Sequence, residues 1–425
     1  MEERALPVGW AVVPLDELGQ WGSGGTPSRS NANYYDGGII PWIVIGDLND
    51  GLVDKVATNI TQRGLEESSA KLVPADALLV AMYGSIGKLG ITVFPCATNQ
   101  AIAFCIPDRD KIDLRYLFHA LAKAKGVLIG KGQGGTQQNI SQGILKEHVV
   151  PFAPLNEQRR IAAKLDTTLA SVESCRQRLE GVAALIKRFR QAVLEAATSG
   201  ELTREWREER NLGEWVTGKA QDVCLKVQSG GTPKAGFVDQ PGVPFLKVYN
   251  LVDQAVDFDY RLQYVEPDVH LGPLGKSRTL PGDVLMNIVG PPLGKVAITP
   301  DDHDEWNINQ AICLFRPSPR ISSEWIYYLL CEGSNIRQIQ LETKGSAGQI
   351  NISLTQCRQF DFPVPPIEEQ QEIINRVEAL FSLADQLEAK LNAACQVVER
   401  LTPALLTKAF RGELVPQDPG DEPAS

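Results

Sequence analysis

The sequence predicts an α+β protein written twice: two similar domains separated by two long antiparallel coiled-coil helices, with a pseudo-two-fold arrangement. Three observations carry this expectation. Short motifs recur in the same order at a spacing near 210 residues. Apolar runs punctuated by glycine and proline fill the first 150 or so residues of each copy. An unbroken heptad stripe fills the last 45 or so of each.

The repeat is read directly. Ser23-Gly24-Gly25-Thr26-Pro27 recurs as Ser229-Gly230-Gly231-Thr232-Pro233, an offset of 206. Gly87-Lys88 recurs as Gly294-Lys295, offset 207, and Asn99-Gln100-Ala101 as Asn309-Gln310-Ala311, offset 210. Asn139-Ile140-Ser141, Glu157-Gln158 and Gly200-Glu201-Leu202 all recur at 212, as Asn351-Ile352-Ser353, Glu369-Gln370 and Gly412-Glu413-Leu414. Preserved order with a slowly growing offset is a tandem duplication with loop insertions in the second copy. The period is too long for a solenoid, so each copy is domain-sized.

Within each copy, runs such as Ile39–Ile45, Leu78–Met82, Ile102–Ile106, Val284–Val289 and Ala311–Phe315 are bounded by turn residues and predict short strands. Leu114–Ala124 and Glu324–Cys331 predict helices. From Leu155 to Ser199 there is no proline and a single glycine. Apolar or small positions alternate by four and three at Ile161, Leu165, Thr168, Val172, Cys175, Leu179, Val182, Ile186, Phe189 and Val193. The second set, Ile373, Val377, Leu380, Ala384, Leu387, Leu391, Ala394, Val398, Leu401 and Leu405, is the first plus 212. This is a coiled-coil seam. Pro154 and Pro366 precede the helices, and Gly200 and Gly412 stand where a C′ glycine ends them. At ~1.5 Å per residue each helix spans roughly 65 Å. Pro403 is expected to kink the second. Two matched helices in one chain favour pairing with each other over homodimerisation, antiparallel, with the domains at opposite ends of the rod. The resulting boundaries are 1–152 and 211–364 for the domains, 153–210 and 365–415 for the helical regions, and 416–425 for a flexible tail.

Composition narrows the class. The 425 residues are 43% hydrophobic and 22% charged, ordinary for a globular protein. No apolar run approaches the roughly 20 residues a membrane helix needs, and no signal peptide is apparent, so a cytoplasmic protein without membrane association is expected. Eight scattered cysteines form no C-x-x-C pair and no zinc spacing with the four histidines, and are expected to be reduced, mostly core thiols. Net charge is −10, and no segment is strongly basic: basic and acidic residues number 13 and 15 in 1–152, 11 and 9 in 153–210, 13 and 17 in 211–365, and 5 and 8 in 366–415. Charge alone does not point to nucleic acid.

The ordered recurrence does. Two domains alternate with two helical regions. Each helix follows a proline-led segment, Pro154-Leu155-Asn156-Glu157-Gln158 or Pro365-Pro366-Ile367-Glu368-Glu369-Gln370, and each ends near Gly-Glu-Leu. Over about residues 5 to 415 the chain resembles the specificity subunits of type I restriction–modification systems. The resemblance implies two target-recognition domains that each bind one half of a split, asymmetric target in double-stranded DNA, with the helices as spacer. It implies docking of two modification (methyltransferase) subunits and of restriction/motor subunits. S-adenosylmethionine, ATP and Mg²⁺ would be held by those partners, none by this chain, which would not itself be an enzyme. The other readings are part of a fused methyltransferase–nuclease and a non-DNA coiled-coil scaffold.

The search for chemistry agrees with a binding role. Gly290-Pro291-Pro292-Leu293 echoes the Asx-Pro-Pro-aromatic motif of adenine methyltransferases but lacks the polar cap and the aromatic wall for a flipped base. Gly84-Ser85-Ile86-Gly87-Lys88 is half a P-loop, with Leu89 where Ser or Thr should hold magnesium. No catalytic or metal site is expected. Candidate DNA contacts are Lys88 and Lys295 in the matched turns, then Lys123, Lys125, Lys131, Gln133, Thr136, Gln137 and Gln138, with Lys344, Ser346 and Gln349 as the second copy's counterparts. Lysines neutralise phosphates, and Gln pairs with adenine edges. Asn139 and Asn351 either cap a following turn or join these. The Asn-Gln pairs are expected to satisfy backbone, because base-reading residues should differ if the half-sites differ.

Overall fold

A computed structural model describes residues 6–132, 139–239, 242–342 and 351–424. The chain is mixed α/β and divides into two compact units, Met1–Glu180 with Asn392–Ser425, and Gly181–Leu391.

In the first unit the central sheet contains β1 (Gly19–Ser23), β2 (Gly51–Val53), β3 (Leu78–Ala81), β4 (Leu89–Thr92) and β5 (Ile102–Pro107), in the order β1-β5-β3-β4-β2. All pairs are antiparallel except β4 with β2. β3 is buried on both faces, which explains its continuous apolar run. Its period of two divides the core. Leu78 and Val80 pack with Leu117, Leu121 and Leu128 of helix α1 (Leu114–Gly130), whereas Leu79 and Ala81 face Ile43, Leu48, Val53 and Phe104. Asp113 caps α1 by accepting from the backbone N–H groups of Arg115 and Tyr116.

The second unit repeats this plan with β6 (Lys226–Ser229), β7 (Leu251–Val252), β8 (Ala255–Val256), β9 (Val284–Asn287), β10 (Val296–Ile298) and β11 (Ile312–Arg316). Its sheet order is β6-β11-β9-β10, and β7 pairs with β8 instead of joining the sheet. Val284 and Met286 face the helical side and Leu285 the other.

Two long helices follow, α2 (Leu155–Thr198) and, after α3 (Ser323–Glu332) in the second domain, α4 (Ile367–Ala409). The Glu-Gln motif fastens each to its domain. Gln158 Oε1 accepts from Asp113 N at 2.8 Å, and its Nε2 donates to the carbonyls of Lys111 and Ala153. Gln370 makes the same set with Ser322, Arg320 and Pro365. Both amides are buried and fully bonded.

In the first unit Ile161, Ala162 and Leu165 share a core with Leu406, Ala409 and Phe410. In the second, Val193, Leu194 and Ala197 share one with Ile373, Ile374 and Val377. Within each unit, then, the start of one long helix shares a core with the end of the other. Of the seam positions, Ile161, Leu165, Ile186, Val193, Ile373, Val377, Ala384 and Leu391 are buried. Val172, Leu179, Phe189, Leu380 and Val398 are half-buried. Cys175, Val182, Leu387 and Leu401 are exposed, against expectation. Helix α4 runs unbroken through Pro403.

Three further expectations change. α1 extends six residues past Ala124 to Gly130. The turn after Asn139 is capped by Ser141, and that after Asn351 by Ser353, so neither Asn is the cap. Residues 416–424, expected to be a flexible tail, make specific contacts: Asp421 pairs with Arg160 at 2.6 Å, and Ala424 N donates to Gly9 O at 2.9 Å. All eight cysteines are free, and burial pushes Cys96, Cys105 and Cys224 up to about 12. Among the described residues no helix is long and apolar enough to cross a membrane.

Candidate nucleic-acid interface

The recurring motifs converge on one piece of framework in each unit. Gly24 N donates to Ile102 O and Gly25 N to Thr98 O; Gly230 and Gly231 repeat this with Ile312 and Ile308. A Cβ on Gly24 would stand 2.0 Å from Thr98 O, and one on Gly230 2.2 Å from Ile308 O, so only glycine permits this approach. The next residue but one, Thr26, donates its hydroxyl to Gln100 Oε1, and Thr232 does the same to Gln310. Asn99 and Asn309 accept from the backbone N–H groups of Ala101 and Ala311. Asn99 and Asn309 thus satisfy backbone, as expected, whereas Gln100 and Gln310 tie their motif to the threonine of the other.

This framework supports a turn with one lysine. Ala81 N donates to Lys88 O at 2.9 Å and Asn287 N to Lys295 O at 3.0 Å, closing equivalent loops. Gly84 and Gly87, like Gly290 and Gly294, have φ between +64° and +92°, which the reversal requires. In the second unit Asn287 braces the turn, accepting from Lys295 N at 2.7 Å and donating to Pro292 O at 2.8 Å. Lys88 and Lys295 are both half-buried beside these turns. Beneath, Ile140 N donates to Met82 O and Ile352 N to Ile288 O. The chain thus returns to the base of each lysine turn at Asn139 and Asn351.

The candidate contacts of the first unit do not form one cluster. Lys88 and Lys125 line one polar cleft of about 390 Å³ with Asp50, Gly84, Ser85, Ile86 and Ile129. There Lys125 Nζ lies 3.2 Å from Asp50, whose other oxygen accepts from Leu89 N. Lys123 points elsewhere, its Nζ 5.5 Å from the ring centre of Phe410. Lys131 is exposed at the end of α1. Gln133, Thr136, Gln137, Gln138, Lys344, Ser346 and Gln349 lie outside the described residues.

Spacing had not suggested a second cluster. Asp166 on α2 accepts both Arg115 guanidinium nitrogens, at 2.7 and 2.9 Å, and His119 at 2.7 Å. Burial opposes ionisation of Asp166, but the bonds from Arg115 and His119 outweigh it and hold its pKa down. Burial lowers that of His119 despite the carboxylate. The three line a cleft of about 470 Å³ with Phe118, Leu169 and Leu406. Among the described residues no group of three or more His, Cys, Asp or Glu side chains could hold a metal ion.

Two copies of one α+β domain, each followed by a long helix and each presenting a lysine turn closed by a backbone hydrogen bond, define a duplicated protein. Both copies match the type I restriction modification DNA specificity domain, over residues 7–183 and 213–396, and the chain belongs to that family. It is 28% identical to the specificity subunit of the type I restriction enzyme EcoBI of Escherichia coli, over 97% of this chain and 88% of that one. It is 28% identical to the StySPI subunit of Salmonella potsdam, over 100% and 93%. Its fold is similar to a chain solved in work on assembly and conformational transition of the type I R-M system, with TM-score 0.75 and 19% identity over 96% of this chain and 100% of that one. The HsdS subunit of Thermoanaerobacter tengcongensis gives TM-score 0.61 and 19% identity over 97% and 99%.

Proposed function

We propose that this chain is the DNA-specificity subunit of a type I restriction–modification complex. Each domain recognises one half of a bipartite, asymmetric duplex target. The long helices act as one antiparallel, pseudo-two-fold spacer that sets the gap between halves. Two modification subunits dock on this chain and methylate adenine with S-adenosylmethionine; restriction/motor subunits use ATP and Mg²⁺. This chain contributes recognition and no catalytic group. Partially exposed apolar side chains at mid-helix, Val182, Leu185, Leu383 and Leu387, suit a protein partner better than water.

One observation carries the reading. An equivalent turn, closed by a backbone hydrogen bond to its lysine and reversed through two positive-φ glycines, is built twice on a duplicated framework. A pair of similar readers suits a target in two parts. The test is selection from a random duplex pool by the chain assembled with its modification subunits. Two short motifs separated by a fixed, sequence-free gap are expected. A single uninterrupted motif, or no enrichment, overturns the proposal.

A further inference from the structure

The second unit carries an element that the first lacks. We infer from it that Arg261, flanked by Tyr249 and Tyr260, reads a base edge in the half-site bound by the second unit. The inference rests on the DNA-reading role proposed above.

The two units share a framework on either side of this element. Val44 N donates to the Asp47 carboxylate and Lys247 N to the Asn250 side-chain oxygen, both at 2.9 Å. Further on, Trp42 N donates to Thr58 O and Phe245 N to Gln263 O, again both at 2.9 Å. Between these fixed points the first unit has ten residues, 48–57, and the second twelve, 251–262. In the first unit the stretch supplies β2, which joins the sheet beside β4. In the second it folds on itself as the β7–β8 hairpin and then runs out through Tyr260 and Arg261.

The loop is organised to hold a guanidinium. The Arg261 guanidinium carbon lies 5.1 Å from the ring centre of Tyr260 and 5.7 Å from that of Tyr249. The rings meet edge to face at 5.8 Å. Asn250 is buried beneath and donates to the carbonyls of Asp257 and Tyr260, both at 2.9 Å. Asp253, Gln254 and Arg261 all have φ between +47° and +62°, a conformation that side-chain-bearing residues seldom hold without support. Gln254 Oε1 accepts from Val296 N at 2.7 Å, so the loop is anchored next to the Lys295 turn. Among the described residues no carboxylate forms an ion pair with Arg261.

Asp253, Asp257 and Asp259 on the same loop make it a poor place for a phosphate. A preorganised guanidinium instead suits the O6 and N7 acceptors of guanine, which it can contact bidentately. The first unit has Asp54-Lys55-Val56 in the corresponding stretch, with no arginine and no aromatic ring. The framework hydrogen bonds are the same in the two units, so an exposed difference of this kind is where two half-sites can come to differ.

The test repeats the random-duplex selection with Arg261→Lys and Arg261→Ala chains assembled with the modification subunits. At one guanine of one half-site, discrimination is expected to fall about tenfold or more. Recovery of the other half-site and the gap unchanged shows that the variants fold. Base preferences unchanged at every position, or a uniform loss across all sequences, overturns the assignment. Failure of the unsubstituted chain to enrich any bipartite motif overturns the DNA-reading role itself.

Discussion

Trp215 donates its indole N–H to Glu369 at 2.9 Å, and Trp10 makes the same bond to Glu157 at 3.0 Å in the other copy. The likeness ends at the second carboxylate oxygen. Glu369 Oε1 accepts from Arg207 at 2.7 Å and Thr203 at 2.8 Å, whereas Glu157 Oε1 is buried with no hydrogen-bond partner among the described residues. Arg160 is engaged by Asp421 instead. Glu369→Ala strands Arg207, which is only 15% exposed, and is expected to cost about 3–5 kcal/mol in urea unfolding. Glu157→Gln keeps the acceptor for Trp10 and is expected to cost less than about 1 kcal/mol. Burial raises the pKa of Glu157, so its ionised form weakens the fold as pH rises through that value. The Gln variant should therefore compare more favourably with wild type at neutral than at acid pH.

His119 predicts an acid limb. Burial is the largest influence on it and lowers its pKa, with Arg115 adding to the effect and Asp166 and Asp113 opposing it. A histidine whose folded pKa is depressed stabilises the fold above its ordinary value near 6.5, and that stability is lost as pH falls through the folded value. Urea midpoints of the wild-type chain should decline below pH 6.5. His119→Gln, which can still bond Asp166, should show a shallower decline over that window. Parallel curves for the two proteins would show that His119 does not titrate with unfolding.

The glycines of the repeated motif are steric. Gly24→Ala and Gly230→Ala each push a Cβ against a backbone oxygen that cannot move without dismantling the sheet edge. Each is expected to destabilise its unit by more than about 2 kcal/mol. Gly46 meets nothing within 4 Å, and Gly46→Ala should change stability by less than about 0.5 kcal/mol. Thermal unfolding of the three variants separates the cases.

What was legible in the sequence follows from this. Gly24, Gln158 and their partners recur because each has one geometric task that any copy of the fold must perform, so the duplication exposed them before any coordinates. The strand runs and long helices were legible because burial imposes periods of two and of three to four. The Arg115–His119–Asp166 cluster was not. It joins residues 51 apart on two elements, is absent from the second copy, and leaves no repeat. The exposed mid-helix seam was missed because a heptad records which side of a helix is apolar, not whether a partner covers it. The Tyr260–Arg261 loop was not legible either: the motif offsets on its two sides, 206 and 207, differ by one residue, and its two extra residues emerge only from the matched hydrogen bonds that flank it.

The cleft that holds Lys88 and Lys125 leads to the last prediction. The two lysines stand on different elements, but Asp50 holds Lys125 at 3.2 Å, leaving Lys88 the freer cation of the pair. In the assembled complex, Lys88→Ala should weaken binding alike for all sequences and reduce the slope of log affinity against log salt by about 1. Lys125→Ala should reduce it less. Asp50→Asn should act in the opposite direction, because it frees Lys125 for a phosphate. Asn suits the left-handed backbone at this position, φ +56°, and can still accept from Leu89 N, so the turn should survive. Lys123→Ala should leave the slope unchanged, since that ammonium sits over Phe410. Salt titrations of the four variants against one duplex read all of these at once. A Lys123 effect equal to that of Lys88 would place the DNA on a different face of the first domain.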